Sequence, residues 1–85
     1  MATAAGIEKR AALRHRVLKH GVLAFVRGGG VDCVVRNISS SGAQVDIDNP
    51  RGLPDSFTLV IETDHFKRHC HAVWSRERRL GVAFD

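Results

Sequence analysis

Between residues 43 and 48 apolar and polar side chains alternate without a break: Ala43, Val45 and Ile47 against Gln44, Asp46 and Asp48. A period of two belongs to a strand with one face buried and the other in water, because successive side chains point to opposite sides of a sheet. The rest of the chain repeats the theme in short pieces. Residues 17–27 are rich in Val, Leu and Phe and stop at Gly28-Gly29-Gly30, a flexible hairpin signal. Residues 31–38 follow, with Val31, Cys33 and Val35 alternating against Asp32, Val34 and Arg36. Residues 49–55 hold two prolines and a glycine and read as a loop. Beyond it, Phe57, Leu59 and Ile61 line one face of residues 57–62. Cys70, Ala72 and Trp74 fall on one side of residues 66–75, and Leu80, Val82 and Phe84 on one side of residues 80–84. A short helical turn near residues 4–13 has no amphipathic stripe, and no useful helix follows Val17.

Six short strands with meander-like spacing predict an all-β domain, a small six-stranded antiparallel β-barrel. Closure removes sheet edges that so small a domain has nothing to cover with. The 85 residues suffice for one domain. We expect residues 1–16 to be a flexible basic N-terminal arm, residues 17–85 to be the barrel, and no long C-terminal helix to follow. Hydrophobic content of 44% and charged content of 26% suit a soluble globular protein. The longest apolar runs, such as residues 22–26, are too short for membrane insertion. The opening residues lack the apolar core of a signal peptide, so a cytoplasmic location is expected. Cys33 and Cys70 lie inside apolar runs and read as two reduced thiols, not as a disulfide framework.

Charge is distributed unevenly. Residues 1–20 carry Lys9, Arg10, Arg14, Arg16 and Lys19 against Glu8 alone, whereas residues 21–85 carry eight Lys or Arg and eight Asp or Glu. The whole excess of +4 therefore sits in the leader, as an anion-binding arm or a solvated tail would have it. Within it Arg10 and Arg14 stand four residues apart. A guanidinium offers a planar fork that meets two phosphate oxygens, or the O6 and N7 of guanine, and it stacks on purines. Downstream, Arg36-Asn37-Ile38-Ser39-Ser40-Ser41-Gly42-Ala43 breaks the strand pattern. There Asn37 and Ser39 offer donors and acceptors at a loop rim. Gly42 permits positive φ or the close approach of a ligand. The plainer reading of this loop is a turn that satisfies its own backbone.

The arginine pair, a strand, a hairpin, a second strand and then N-x-S-x-x-G resemble the PilZ domain family in order and separation. The resemblance runs from about Glu8 to Asp85 and includes the closing Arg79-Leu80-Gly81-Val82-Ala83-Phe84. It implies a receptor for the bacterial second messenger cyclic di-GMP. Arg10 and Arg14 would grip guanine and phosphate from an arm that folds over the barrel, and Asn37, Ser39 and Gly42 would complete the pocket. Lys9 stands where members often carry a further arginine; it keeps the charge and loses the planar fork. Leu13 replaces a common proline, and Asn37 a commoner aspartate. The resemblance further implies that ligand orders the arm, which then signals through an unidentified downstream protein. If each arginine contributes about 1–3 kcal/mol, losing one weakens binding roughly 5- to 150-fold.

Two other classes stay open: a PilZ-like domain that binds protein and no nucleotide, and a small basic barrel that binds RNA or DNA. The balanced charge of residues 21–85 counts against the second, so no DNA or RNA partner is expected. No cofactor is expected either. His69 and His71 share a strand face with Cys70 pointing the other way, which leaves two imidazoles where structural zinc wants four ligands; no metal is assigned. Trp74, on the side of Cys70, reads as a core residue or a plug at the barrel end, with base stacking as the alternative. None of the G-x-S-x-G, phosphate-loop or H-E-x-x-H patterns is present, and the chain is not expected to be an enzyme.

Overall fold

The computed structural model describes residues 15–85. Lys9, Arg10 and Arg14, with the expected ordering of the arm that carries them, lie outside those residues. Six strands follow in sequence: β1 (His15–Ala24), β2 (Gly30–Ile38), β3 (Gly42–Asp46), β4 (Ser56–Ile61), β5 (Phe66–Arg76) and β6 (Arg79–Phe84). They close into an antiparallel barrel in the order β1-β2-β3-β6-β5-β4, with β4 returning to pair with β1. The all-β barrel expected from the alternation is the fold observed. One 3-10 turn, Glu62–Asp64, joins β4 to β5 and is the only helical segment among the described residues. None of their helices is long and apolar enough to cross a membrane.

The interior is filled by the apolar half of each alternating run. Leu23, Val35, Val45, Phe57, Leu59 and Cys70 are fully sealed, and no polar or charged residue is buried among the described residues. Truncating such a leucine to alanine costs about 2–5 kcal/mol, depending on how far the cavity collapses. Cys33 and Cys70 are both buried and free. Burial pushes the Cys33 thiol up to about 12 and the Cys70 thiol up to about 11, so neither is a thiolate at neutral pH.

Strand ends differ from the sequence reading by a few residues, each for a local reason. β1 stops at Ala24 because Phe25 already turns: its carbonyl accepts the Gly28 N–H and its own N–H reaches Gly29, at 3.0 Å each. Gly28 and Gly29 take positive φ there. At the far end of β3, Ile47 leaves the ladder yet stays buried, its N–H donating to Arg78 at 2.8 Å.

Candidate functional site

Three β-bulges interrupt the barrel, and they fall close to one row of the sheet. In β2 the pairing with β3 steps from Val35↔Val45 to Asn37↔Gln44, leaving Arg36 as the extra residue. In β1 the pairing with β2 steps from Arg16↔Asn37 to Lys19↔Val35, with one residue too many on β1. In β5 it steps from Ala72↔Val82 to Trp74↔Gly81, leaving Val73 extra. The pairing Arg16–Asn37–Gln44–Gly81–Trp74 thus runs across five strands. Bulges re-aim side chains at such places.

The β2 bulge has a direct chemical result. Without it Arg36 and Asn37, adjacent in sequence, would face opposite sides. Instead, the Asn37 side-chain N–H donates to Gln44 Oε1 at 3.0 Å, while Arg36 Nη1 sits 3.4 Å from Asp46 Oδ2. Gln44 and Asp46 are alternate residues of β3 and share its outer face, so Arg36 and Asn37 share it too. Asp46 also accepts from Arg79 Nε at 2.8 Å. One carboxylate therefore holds two guanidiniums, and the Arg79 guanidinium is held more firmly in its charged form by that contact.

Beyond β2 the chain turns through Ser39, Ser40 and Ser41. Ser39 Oγ accepts the N–H groups of Ser41 and Gly42 at 3.2 and 3.3 Å, and Ser39 N–H donates to the Gly42 carbonyl at 2.8 Å. The Ser41 carbonyl takes the Phe84 N–H at 2.9 Å and anchors the turn to β6. Ser39 is thus the hub of a serine turn that fixes the loop beside Asn37. Gly42 does not adopt positive φ. Its backbone runs so close to β6 that a Cβ would lie 2.2 Å from the Val82 carbonyl oxygen. The close approach is made by a neighbouring strand.

Trp74 corrects the sequence reading. The extra residue Val73 shifts the period, so Trp74 leaves the side of Cys70 for the outer face, where it is 39% exposed. Its indole lies over the bare backbone of Gly81: a Cβ there would meet the indole Nε1 at 2.2 Å. Gln44 and Trp74 line the same depression, which also takes in Asp32, Asp46, Asp48 and Glu77 and measures about 970 Å³. Its four carboxylates stand among Arg76, Arg78, Arg79 and His20, so its charge is mixed. On the other side of Gln44 a groove of about 550 Å³ is lined by Arg16, Val17, Leu18, Arg36, Asn37, Gln44 and Arg79, with no acidic residue. Alternation already marked Gln44 as outward-facing. Arg16, Arg36 and Arg79 escaped notice as neighbours because only the pairing register brings them together.

Over residues 8–85 the sequence matches the family model of the PilZ domain. The chain belongs to the PilZ domain family. No curated protein matches it. PilZ domains are in general cyclic di-GMP-binding modules and not enzymes. In this PilZ domain the structure sets Asn37 in the outer row and Ser39 and Gly42 in the turn that follows it, with Lys9, Arg10 and Arg14 outside the described residues. Elsewhere on the barrel His71 Nδ1 lies 2.6 Å from one Asp85 carboxylate oxygen and His69 Nδ1 contacts the other. These contacts hold the Asp85 carboxyl below its usual range, that of His71 first. No group of three candidate ligands is placed to hold a metal ion among the described residues.

Proposed function

We propose that this PilZ domain is a cyclic di-GMP receptor whose ligand lies on the outer face beside Asn37 and the Ser39–Gly42 turn. The observation that carries the reading is the acid-free, arginine-lined groove abutting Asn37, within a family of cyclic di-GMP-binding modules. The ligand is a compact ring of two guanines and two phosphodiesters. Arginines suit both parts, through bidentate contact and through stacking. Asn37, held by Gln44, presents a fixed amide, and the serine turn holds the neighbouring backbone rigid. Lys9, Arg10 and Arg14 supply the opposing side, and ligand binding brings their segment against the barrel. That docked segment forms a new surface for a downstream protein, a change driven by contacts made only in the bound state.

Titration calorimetry with cyclic di-GMP, on wild type and on Arg10→Ala/Arg14→Ala, tests the reading. Saturable binding that the double variant loses, with GTP and cyclic di-AMP bound far more weakly, is the expected result. No heat and no competition at about 100 μM ligand, where even weak recognition registers, would sink it. A steep salt dependence with no nucleotide preference would turn the reading toward nucleic acid.

A further inference from the structure

Arg36 and Arg79 come from strands that are not adjacent in the barrel: β3 lies between them. Asp46, on that strand, takes Nε of one guanidinium with one carboxylate oxygen and approaches Nη1 of the other with its second. A guanidinium has five N–H donors in a fixed fork. Each contact to Asp46 engages one edge and leaves donors over. Both side chains remain nearly half exposed, at 46% and 45%, and both line the acid-free groove next to Asn37. Exposed arginines ordinarily lose side-chain freedom when they grip an anion. Here Asp46 already restrains Arg79 through a 2.8 Å hydrogen bond and draws Arg36 into an ion pair at 3.4 Å. Two guanidiniums and one carboxylate also leave a single net positive charge, which matches the single negative charge of a phosphodiester.

We infer that Arg36 and Arg79 form a barrel-borne phosphate fork that binds one phosphodiester of the ligand, independently of the arginines in the leader. The identity of the ligand rests on the cyclic di-GMP reading; the phosphate chemistry of the groove does not. The fork explains why the β2 bulge is useful. It turns Asn37 to the face of Arg36, so that one ligand touches an amide and a guanidinium from consecutive residues.

The test compares Arg36→Ala/Arg79→Ala with Arg27→Ala/Arg51→Ala, which removes the same charge from exposed loop positions outside the groove. Affinity for cyclic di-GMP should fall about tenfold or more in the first variant, as expected for a lost charge-assisted contact, and less than about twofold in the second. In wild type, the arginine side-chain Nε–H signals of positions 36 and 79 should shift by NMR on titration with cyclic di-GMP and with inorganic pyrophosphate. Tight cyclic di-GMP binding that ignores both variants and leaves those signals in place overturns the fork and leaves the receptor reading intact. Pyrophosphate shifts without cyclic di-GMP binding support the fork and overturn the receptor reading. Silence toward both ligands overturns both.

Discussion

An alanine at position 42 would set its methyl carbon 2.2 Å from the Val82 carbonyl oxygen and 3.3 Å from the Cα of Ala83. Both are backbone atoms, so no side chain can swing aside. Restoring ordinary contact requires β3 and β6 to part by about 1 Å at that point. The separation strikes the bonds that hold the serine turn, Ser39 N–H to Gly42 at 2.8 Å and Phe84 N–H to Ser41 at 2.9 Å. At about 1 kcal/mol for each weakened bond, and about 1–3 kcal/mol for the forced backbone shift, Gly42→Ala should destabilise the domain by about 2–4 kcal/mol. A domain of this size has about 4–13 kcal/mol in all, and the melting midpoint should drop by about 10 °C or more. Urea unfolding followed by circular dichroism measures the loss, provided the slope with denaturant is unchanged. A glycine retained only to admit a ligand behaves differently: its alanine variant would keep full stability and lose cyclic di-GMP. A change below about 0.5 kcal/mol, within the range of ordinary surface substitutions, would refute the steric argument.

Gly81→Ala forces the indole off its seat, and since Trp74 is the single tryptophan and tyrosine is absent, the emission spectrum reads this displacement alone. A red shift in the folded protein is expected, and an unchanged spectrum would show that Trp74 does not depend on that glycine. The buried thiols predict a stability limit at high pH. Their folded values of about 12 and about 11 exceed the ordinary thiol value of 9.0, so their contribution is complete below pH 9 and fades as pH rises toward 11–12. Urea midpoints under reducing conditions should fall above pH 9 and fall less in Cys33→Ala/Cys70→Ala; native protein at pH 8 should resist thiol-specific labelling until it unfolds. Asp85, whose carboxyl is lowered from 3.8 by His71 and His69, stabilises the fold above about that pH and ceases to do so as its carboxylate protonates at lower pH. The stability gap between wild type and Asp85→Asn should therefore be open at pH 6 and narrow as pH falls below 3.8.

Much of the barrel was legible because burial of one strand face writes a period of two directly into the chain. Ala43, Val45 and Ile47 are buried as that pattern demands. What defeated the reading was the bulge. A single extra residue reverses the phase of everything after it, which is how Val73 sent Trp74 outward and Arg36 set Asn37 on its own face. No residue type announces a bulge of this kind, since Val73 and Arg36 are ordinary strand residues. The motif residues Asn37, Ser39 and Gly42 stood out by spacing. The cations beside them did not: Arg16, Arg36 and Arg79 lie far apart in sequence and meet only through the pairing of β1, β2, β3 and β6. Arg79 was further hidden in a charged run read as a turn, whereas it opens β6 opposite Asp46.

Because inner and outer residues alternate, the barrel keeps two largely separate texts, one for folding and one for recognition. Exchanging Arg36, Gln44 or Arg79 rewrites the second and leaves the first untouched, so ligand preference can drift across generations at little cost to the fold. At Gly42 and Gly81 the two texts share a letter. Those outer-face positions are held by the backbone and the indole against them as strictly as any interior site. A lineage that changes what it binds can therefore alter every side chain of the row and still inherit both bare positions.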